Sequence, residues 1–255
     1  MTVDQARSRI SLFDSRGLIY QARPTGGINA DKAPFAHALP EGKCDTTQLT
    51  DVIGLLRPTA IIGVSAQGGA FKHADIKLMG EINARPIIFP LSNPTHKAEC
   101  TAVDAYTLTE GRCVFASGSP FDPVTLNEKT HYPGQGNNSY IFPGLSLGVM
   151  VSRTRRIPDD LFIIAAKSVA NQVTAEDRKL GKIYPGMEHI RKVSTIMAAE
   201  VAEYCFDNGL SNAERPENVL SAVKAYQYDH TQYPAPHQGG RRGSVNHRRG
   251  SASRL

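Results

Sequence analysis

Two short stretches bring neutral amide side chains onto tight turns: Ser92-Asn93-Pro94-Thr95 and Pro133-Gly134-Gln135-Gly136-Asn137-Asn138. Amides on such turns can read a carboxylate or a carboxamide by hydrogen bonds without adding charge. A third feature is acidic. Arg9 to Asp14 reads as a strand closing in an acid, followed by Ser15-Arg16-Gly17. In a dinucleotide-binding βαβ unit such an acid takes ribose hydroxyls, but it follows a glycine-rich turn by about 20 residues. No glycine precedes Arg9, so on its own Asp14 is a weak signal, since a lone Asp at a strand end is usually a turn former. No pattern of base, nucleophile or metal ligands accompanies these residues. Cys44, Cys100, Cys113 and Cys205 are scattered without a C-x-x-C pair, and reduced thiols are expected.

Elements able to position these residues follow from hydrophobic patterning. Segments 10–14, 60–65, 86–91 and 113–116 are short β-rich runs, the last three nearly continuously apolar. Such runs suit strands buried on both faces of a parallel sheet. Helical patterns over 47–56, 72–83 and 101–108 alternate with them, which predicts a doubly wound α/β sheet. Ligands of such sheets sit beyond the carboxyl ends of the strands. Ser65, Asn93 and Ser117 to Ser119 would occupy that edge, although each is also an ordinary strand-ending turn residue. The second half reads as helical over 141–151, 159–173 and 190–206. Val193, Ile196, Met197, Val201 and Tyr204 form a core-facing stripe, and Thr174 with Asp177 forms a capping box.

Composition narrows the class. The chain has 255 residues, 40% hydrophobic and 21% charged, as in ordinary globular proteins. It contains no apolar run near the roughly 20 residues that span a bilayer, and its first residues lack a signal-peptide layout. A cytoplasmic protein with no membrane partner is expected. Arg241, Arg242, Arg248, Arg249 and Arg254 account for the whole net charge of +5, so the body is neutral. Nucleic acid is therefore not an expected partner of the fold. From Pro234 the composition predicts a disordered basic tail. Arg241-Arg242-Gly243-Ser244 and Arg248-Arg249-Gly250-Ser251 repeat one tetrapeptide that suits basophilic kinases, making Ser244 and Ser251 candidate phosphorylation sites.

Longer contiguous motifs carry a family resemblance. They include Ile61-Ile62-Gly63-Val64-Ser65, Gly68-Gly69-Ala70-Phe71, Phe89-Pro90-Leu91-Ser92-Asn93-Pro94-Thr95 and Lys97-Ala98-Glu99-Cys100-Thr101. Phe115-Ala116-Ser117-Gly118-Ser119-Pro120-Phe121-Asp122-Pro123-Val124 and the run from Tyr132 to Gly144 complete the set. Together, over 8–233, the chain resembles the carboxyl-terminal NAD(P)-binding part of malic enzyme. That resemblance implies an oxidoreductase that oxidatively decarboxylates malate to pyruvate and CO2. NADP would be the cofactor, with NAD possible, and the complete enzyme would use Mg or Mn. The family's proton-donating Tyr, Lys base, acidic metal ligands and glycine-rich loop have no counterpart here and are expected upstream of Met1.

By the same resemblance Asn93 and Asn137 would hydrogen-bond malate and the nicotinamide end of the cofactor, with Asn138 beside them. Asp14 would sit at the adenosine ribose, and Gly63, Val64 and Ser65 would line the dinucleotide. Ser15 and Lys32 look like the NADP-preferring branch: a Lys pairs with a 2′-phosphate, and a small Ser leaves it room. The expected organisation is an incomplete Rossmann-like domain over 1–140, a helical remainder over 141–233 and the tail over 234–255. The full-length form is expected to be a homo-oligomer, cytoplasmic or mitochondrial. The isolated chain is expected to be inactive, because the base, proton donor and metal ligands lie outside it, and poorly soluble, because a missing first strand leaves sheet edges exposed. Two other readings stand beside it. One is a non-catalytic dinucleotide-binding or regulatory module pairing with full-length subunits. The other is an accessory protein for nucleic acid or kinase signalling that acts through its tail.

Overall fold

Chain reversals and apolar runs divide the strands into separate sheets. The computed structural model describes residues 1–39 and 45–228. Strands β1 (Phe13–Asp14) and β2 (Gly17–Leu18) form an antiparallel pair. Strands β3 (Ala60–Gly63), β4 (Ile87–Pro90) and β5 (Val114–Ser117) follow. Next come β6 (Val124–Leu126), β7 (Lys129–His131) and β8 (Gly134–Gln135). The main sheet has the order β3-β4-β5-β8 and is parallel throughout, while β6 and β7 make a second antiparallel hairpin.

After the short helix α1 (Val3–Arg7), helices α2 (Leu49–Leu56), α3 (His73–Ile82) and α4 (Ala102–Leu108) accompany the sheet. The later helices are α5 (Phe142–Ser152), α6 (Asp159–Asn171), α7 (Ala175–Lys179), α8 (Ile190–Asp207) and α9 (Val219–Tyr226). The expected alternation of strand and helix around a parallel sheet is thus present over β3 to β5. The strand runs near 60–65, 86–91 and 113–116 and the helices expected beside them all form.

Three expectations are corrected. Segment 10–14 is not a strand of the parallel sheet. Only Phe13–Asp14 is extended, and it pairs antiparallel with Gly17–Leu18. Gly17 adopts φ +102, a conformation L side chains rarely reach, and so lets the chain fold straight back after Ser15-Arg16. Second, β3 is not buried on both faces. Ile61 and Gly63 are buried, but Ile62 and Val64 are 59% and 75% exposed. Side chains alternate across a strand, and β3 is an edge whose second face no described element covers. Third, Gly134–Gln135, expected as part of a loop, is the fourth sheet strand, joined to Ala116 and Ser117.

Helix ends are tied by side chains. Asp177 N–H donates to Thr174 Oγ1 at 3.0 Å, and Thr174 N–H donates to Asp177 Oδ2 at 3.3 Å, forming the expected capping box. At the carboxyl end of α3, the Arg112 guanidinium donates to the carbonyls of Gly80, Asn83 and Ala84 at 2.8 to 3.0 Å. These are acceptors a helix leaves unpaired. One core fills the space between sheet and helices with Ile53, Ile61, Ile76, Met79, Ile88, Tyr106 and Phe115. A second lies around α8, with Leu145, Leu161, Val169, Val193, Met197 and Val201.

Cys100, Cys113 and Cys205 are free and buried. Among the described residues no helix is long and apolar enough to cross a membrane. Cys44, the tail beyond Pro234 and the candidate sites Ser244 and Ser251 lie outside the described residues.

Candidate functional site

At the carboxyl ends of β3 and β4, a buried acid joins two loops. Ser65 follows β3, and Ser92 follows β4. Both donate to Glu99, which has no exposed surface. Ser65 N–H and Ser65 Oγ reach Glu99 Oε1 at 2.9 Å each, and Ser92 Oγ reaches the same atom at 2.5 Å. Ser92 N–H reaches Oε2 at 3.4 Å. Ala66 N–H closes the group by donating to Ser92 Oγ at 2.8 Å. The carboxylate lies against the β3 backbone, and a Cβ on Gly63 would collide with it. Burial opposes ionisation of Glu99, but the hydrogen bonds from Ser92 and Ser65 outweigh it and hold the carboxyl below its usual range.

Asn93 follows Ser92 across a cis Asn93–Pro94 peptide. Ser119 Oγ donates to Asn93 Oδ1 at 2.6 Å, whereas Asn93 Nδ2 reaches only the Leu91 carbonyl, at 3.5 Å. Its oxygen is therefore held, while Nδ2, with only this long contact, keeps donor capacity for an acceptor. Gly118 N–H donates to the Pro90 carbonyl at 3.1 Å, drawing the end of β5 onto the end of β4. Gly136 N–H donates to the Ser117 carbonyl at 2.8 Å and brings the β8 turn alongside. Asn137 caps the following 3-10 turn, its Oδ1 accepting Ser139 N–H at 2.9 Å, and Asn138 is exposed. Ser65, Asn93 and Asn137 thus occupy the carboxyl edge of one sheet, where doubly wound folds bind ligands.

The second cluster sits on the β1–β2 hairpin. Arg23 grips Asp14 through two bonds, Nη1 to Oδ1 at 2.9 Å and Nη2 to Oδ2 at 2.8 Å. Lys32 Nζ reaches Asp14 Oδ2 at 2.8 Å, and Arg16 N–H reaches Oδ1 at 2.9 Å. The hydrogen bonds from Arg23 outweigh partial burial and, with Lys32, hold the Asp14 carboxyl far below its usual range. Arg23 is almost fully buried, and its Nε has no hydrogen-bond partner. Ser15 beside this pair is exposed. The two residues singled out for the ribose and the 2′-phosphate, Asp14 and Lys32, therefore meet in space.

Sequence reasoning placed Ser119 at this edge without its partner Asn93, and it missed Arg23 and the role of Glu99. Only Glu99 left a trace, an acid set between Ala98 and Cys100 in a segment that is otherwise small and apolar. A cavity of about 650 Å³ opens elsewhere among these loops, lined by Phe71, Lys72, His73, Thr95, His96 and Asp104. None of the expected ligand-contacting residues lines it, so it has no part in the site described. Among the described residues no group of three or more His, Cys, Asp or Glu side chains could hold a metal ion.

Comparison with known proteins bears on the chemistry. Residues 1–206 match the family model for the NAD binding domain of malic enzyme. The chain is 46% identical to the mitochondrial NAD-dependent malic enzyme of Ascaris suum, over 90% of this chain and 35% of that protein. It is 43% identical to the NADP-dependent malic enzyme of Dictyostelium discoideum, over 88% of this chain and 41% of that one. The chain therefore spans well under half the length of these curated relatives. The crystal structure of Entamoeba histolytica malic enzyme superposes with a TM-score of 0.61, covering 84% of this chain and 41% of that one at 23% identity. That likeness bears on the fold alone.

Proposed function

The chain belongs to the malic enzyme family, in the part that carries the NAD-binding domain, and from that premise we propose that it binds NADP for the oxidative decarboxylation of malate to pyruvate. Asn93, with donor capacity left on Nδ2, and Asn137 and Asn138 beyond β8 meet the carboxyl groups of the substrate and the nicotinamide carboxamide. Gly63, Val64 and Ser65 line the dinucleotide. Asp14 receives the adenosine ribose, and Lys32, with Ser15 leaving room beside it, takes the 2′-phosphate.

One observation carries the cofactor reading: Lys32 Nζ lies 2.8 Å from Asp14 Oδ2. A dianionic phosphate arriving there finds an ammonium group already held at the ribose acid. Because Asp14 already accepts from Arg23, Lys32 and Arg16, a ribose hydroxyl must displace one of them. Lys32, a third exposed, is the partner that can move, whereas Arg23 is locked in place.

The residues described position a cofactor and a substrate, and among them no group of three or more His, Cys, Asp or Glu side chains could hold a metal ion. By itself the chain binds and orients, and turnover belongs to the complete enzyme. Fluorescence titration with NADPH and NADH tests the reading. NADPH is expected to bind about tenfold more tightly than NADH, and Lys32→Ala to erase the difference. Equal affinity of the unaltered chain for both, or a preference that survives Lys32→Ala, overturns it.

A further inference from the structure

We infer that Glu99 is a positioning residue: its carboxylate clamps the loop after β3 to the loop after β4, so that Ser65 and Asn93 address one ligand in a fixed relation. The inference rests on the reading of Asn93 and Ser65 as ligand-facing residues.

A fully buried carboxylate with only neutral partners is costly, so the site must need something an uncharged group cannot supply. The geometry says what that is. Each carboxylate oxygen accepts a backbone N–H from a different loop, Ser65 N–H on Oε1 and Ser92 N–H on Oε2. Hydroxyl groups can rotate to suit a new partner, but backbone N–H groups cannot. A glutamine of the same shape carries one acceptor and one NH2 donor. It must set that donor against the Ser92 amide, or against the Ser65 amide with both hydroxyls around it.

Only a doubly accepting group joins both loops at once. Gly63 leaves the room for it beside β3. Asn93, one residue beyond Ser92, takes its position from that anchor at one end and from Ser119 at the other.

The test uses the whole chain with Glu99→Gln and, as a control, Asp75→Asn. Asp75 is also buried, and it caps α3 through the Lys72 N–H at 2.7 Å. Backbone amide exchange is followed by NMR, and NADPH binding by fluorescence. Loss of a hydrogen bond to a charged group corresponds to about a tenfold effect. Glu99→Gln is expected to speed exchange at the Ser65 or Ser92 amide and to raise the NADPH Kd, each about tenfold. Asp75→Asn should lower the melting temperature and leave both readouts within about twofold.

Equal responses from the two variants overturn the proposal, as does a Glu99→Gln chain whose loop exchange stays unchanged. Should Glu99→Gln not fold, Ser92→Ala replaces it. That variant removes the hydroxyl linking Ala66 to Glu99, and unchanged exchange at Ala66 and Ser65 overturns the proposal. An unaltered chain that binds no NADPH overturns the cofactor reading instead, and loop exchange still decides the clamp.

Discussion

Asp14 and Glu99 are both carboxylates at loops assigned to the ligand, and both are held below the usual carboxyl range, yet by opposite means. Asp14 is partly open and held by cations, Arg23 and Lys32. Glu99 is closed to solvent and held by hydroxyl and amide donors that carry no charge. A charge-paired, accessible acid can exchange a partner for a ligand group, because the incoming charge or hydroxyl replaces what leaves. A buried acid among neutral donors has nothing to exchange, and it works only by staying where it is. The first arrangement fits recognition, and the second fits scaffolding.

The comparison breaks most readily at Gly63. Gly63→Val drives a side chain into the Glu99 carboxylate, and overpacking plus unpaired polar groups should cost about 3 kcal/mol or more, read as a lower urea midpoint. Arg23→Met ranks next. It removes both guanidinium bonds from Asp14 and should cost about 2 kcal/mol in the same measurement; a loss as large as that of Gly63→Val would erase the distinction drawn between the two acids.

Acid titration sharpens it further. Both carboxyls have depressed folded-state values. The unfolded chain therefore binds more protons as pH drops, and the stability they contribute is present above about pH 4 and lost as pH falls below it. In Arg23→Met the Asp14 share of that loss disappears, so the fall in stability between about pH 4 and pH 2 becomes shallower.

The smallest effect on stability belongs to Lys32→Gln. Its pair with Asp14 is partly solvated, and removing it should change stability by no more than about 0.5 kcal/mol. NADPH affinity should still fall about tenfold in the fluorescence titration. A large thermal effect without an affinity effect would make Lys32 a scaffold residue like Glu99.

Much of the fold was legible because its signals are local. The apolar runs at 60–65, 86–91 and 113–116 became β3, β4 and β5, and the helical stripes became α2 to α4, α5, α6 and α8. Thr174 and Asp177 announced their capping box from a spacing of three. The β1–β2 hairpin was less legible, because the segment ending at Asp14 has strand character whichever partner it finds. Gly134–Gln135 looked like a turn, since two residues hold too little pattern to declare a strand. Arg23 looked like any surface arginine.

What the sequence determined by itself is the set of elements and the family, both written in short contiguous patterns of residue type. The tertiary structure alone decided which acid lies partly open among cations and which is closed to solvent among neutral donors. Ser65 and Glu99 are 34 residues apart, and Lys32 is 18 residues from Asp14. Folding chose those partners and set their burial, and burial with partner charge determines what a carboxylate can do.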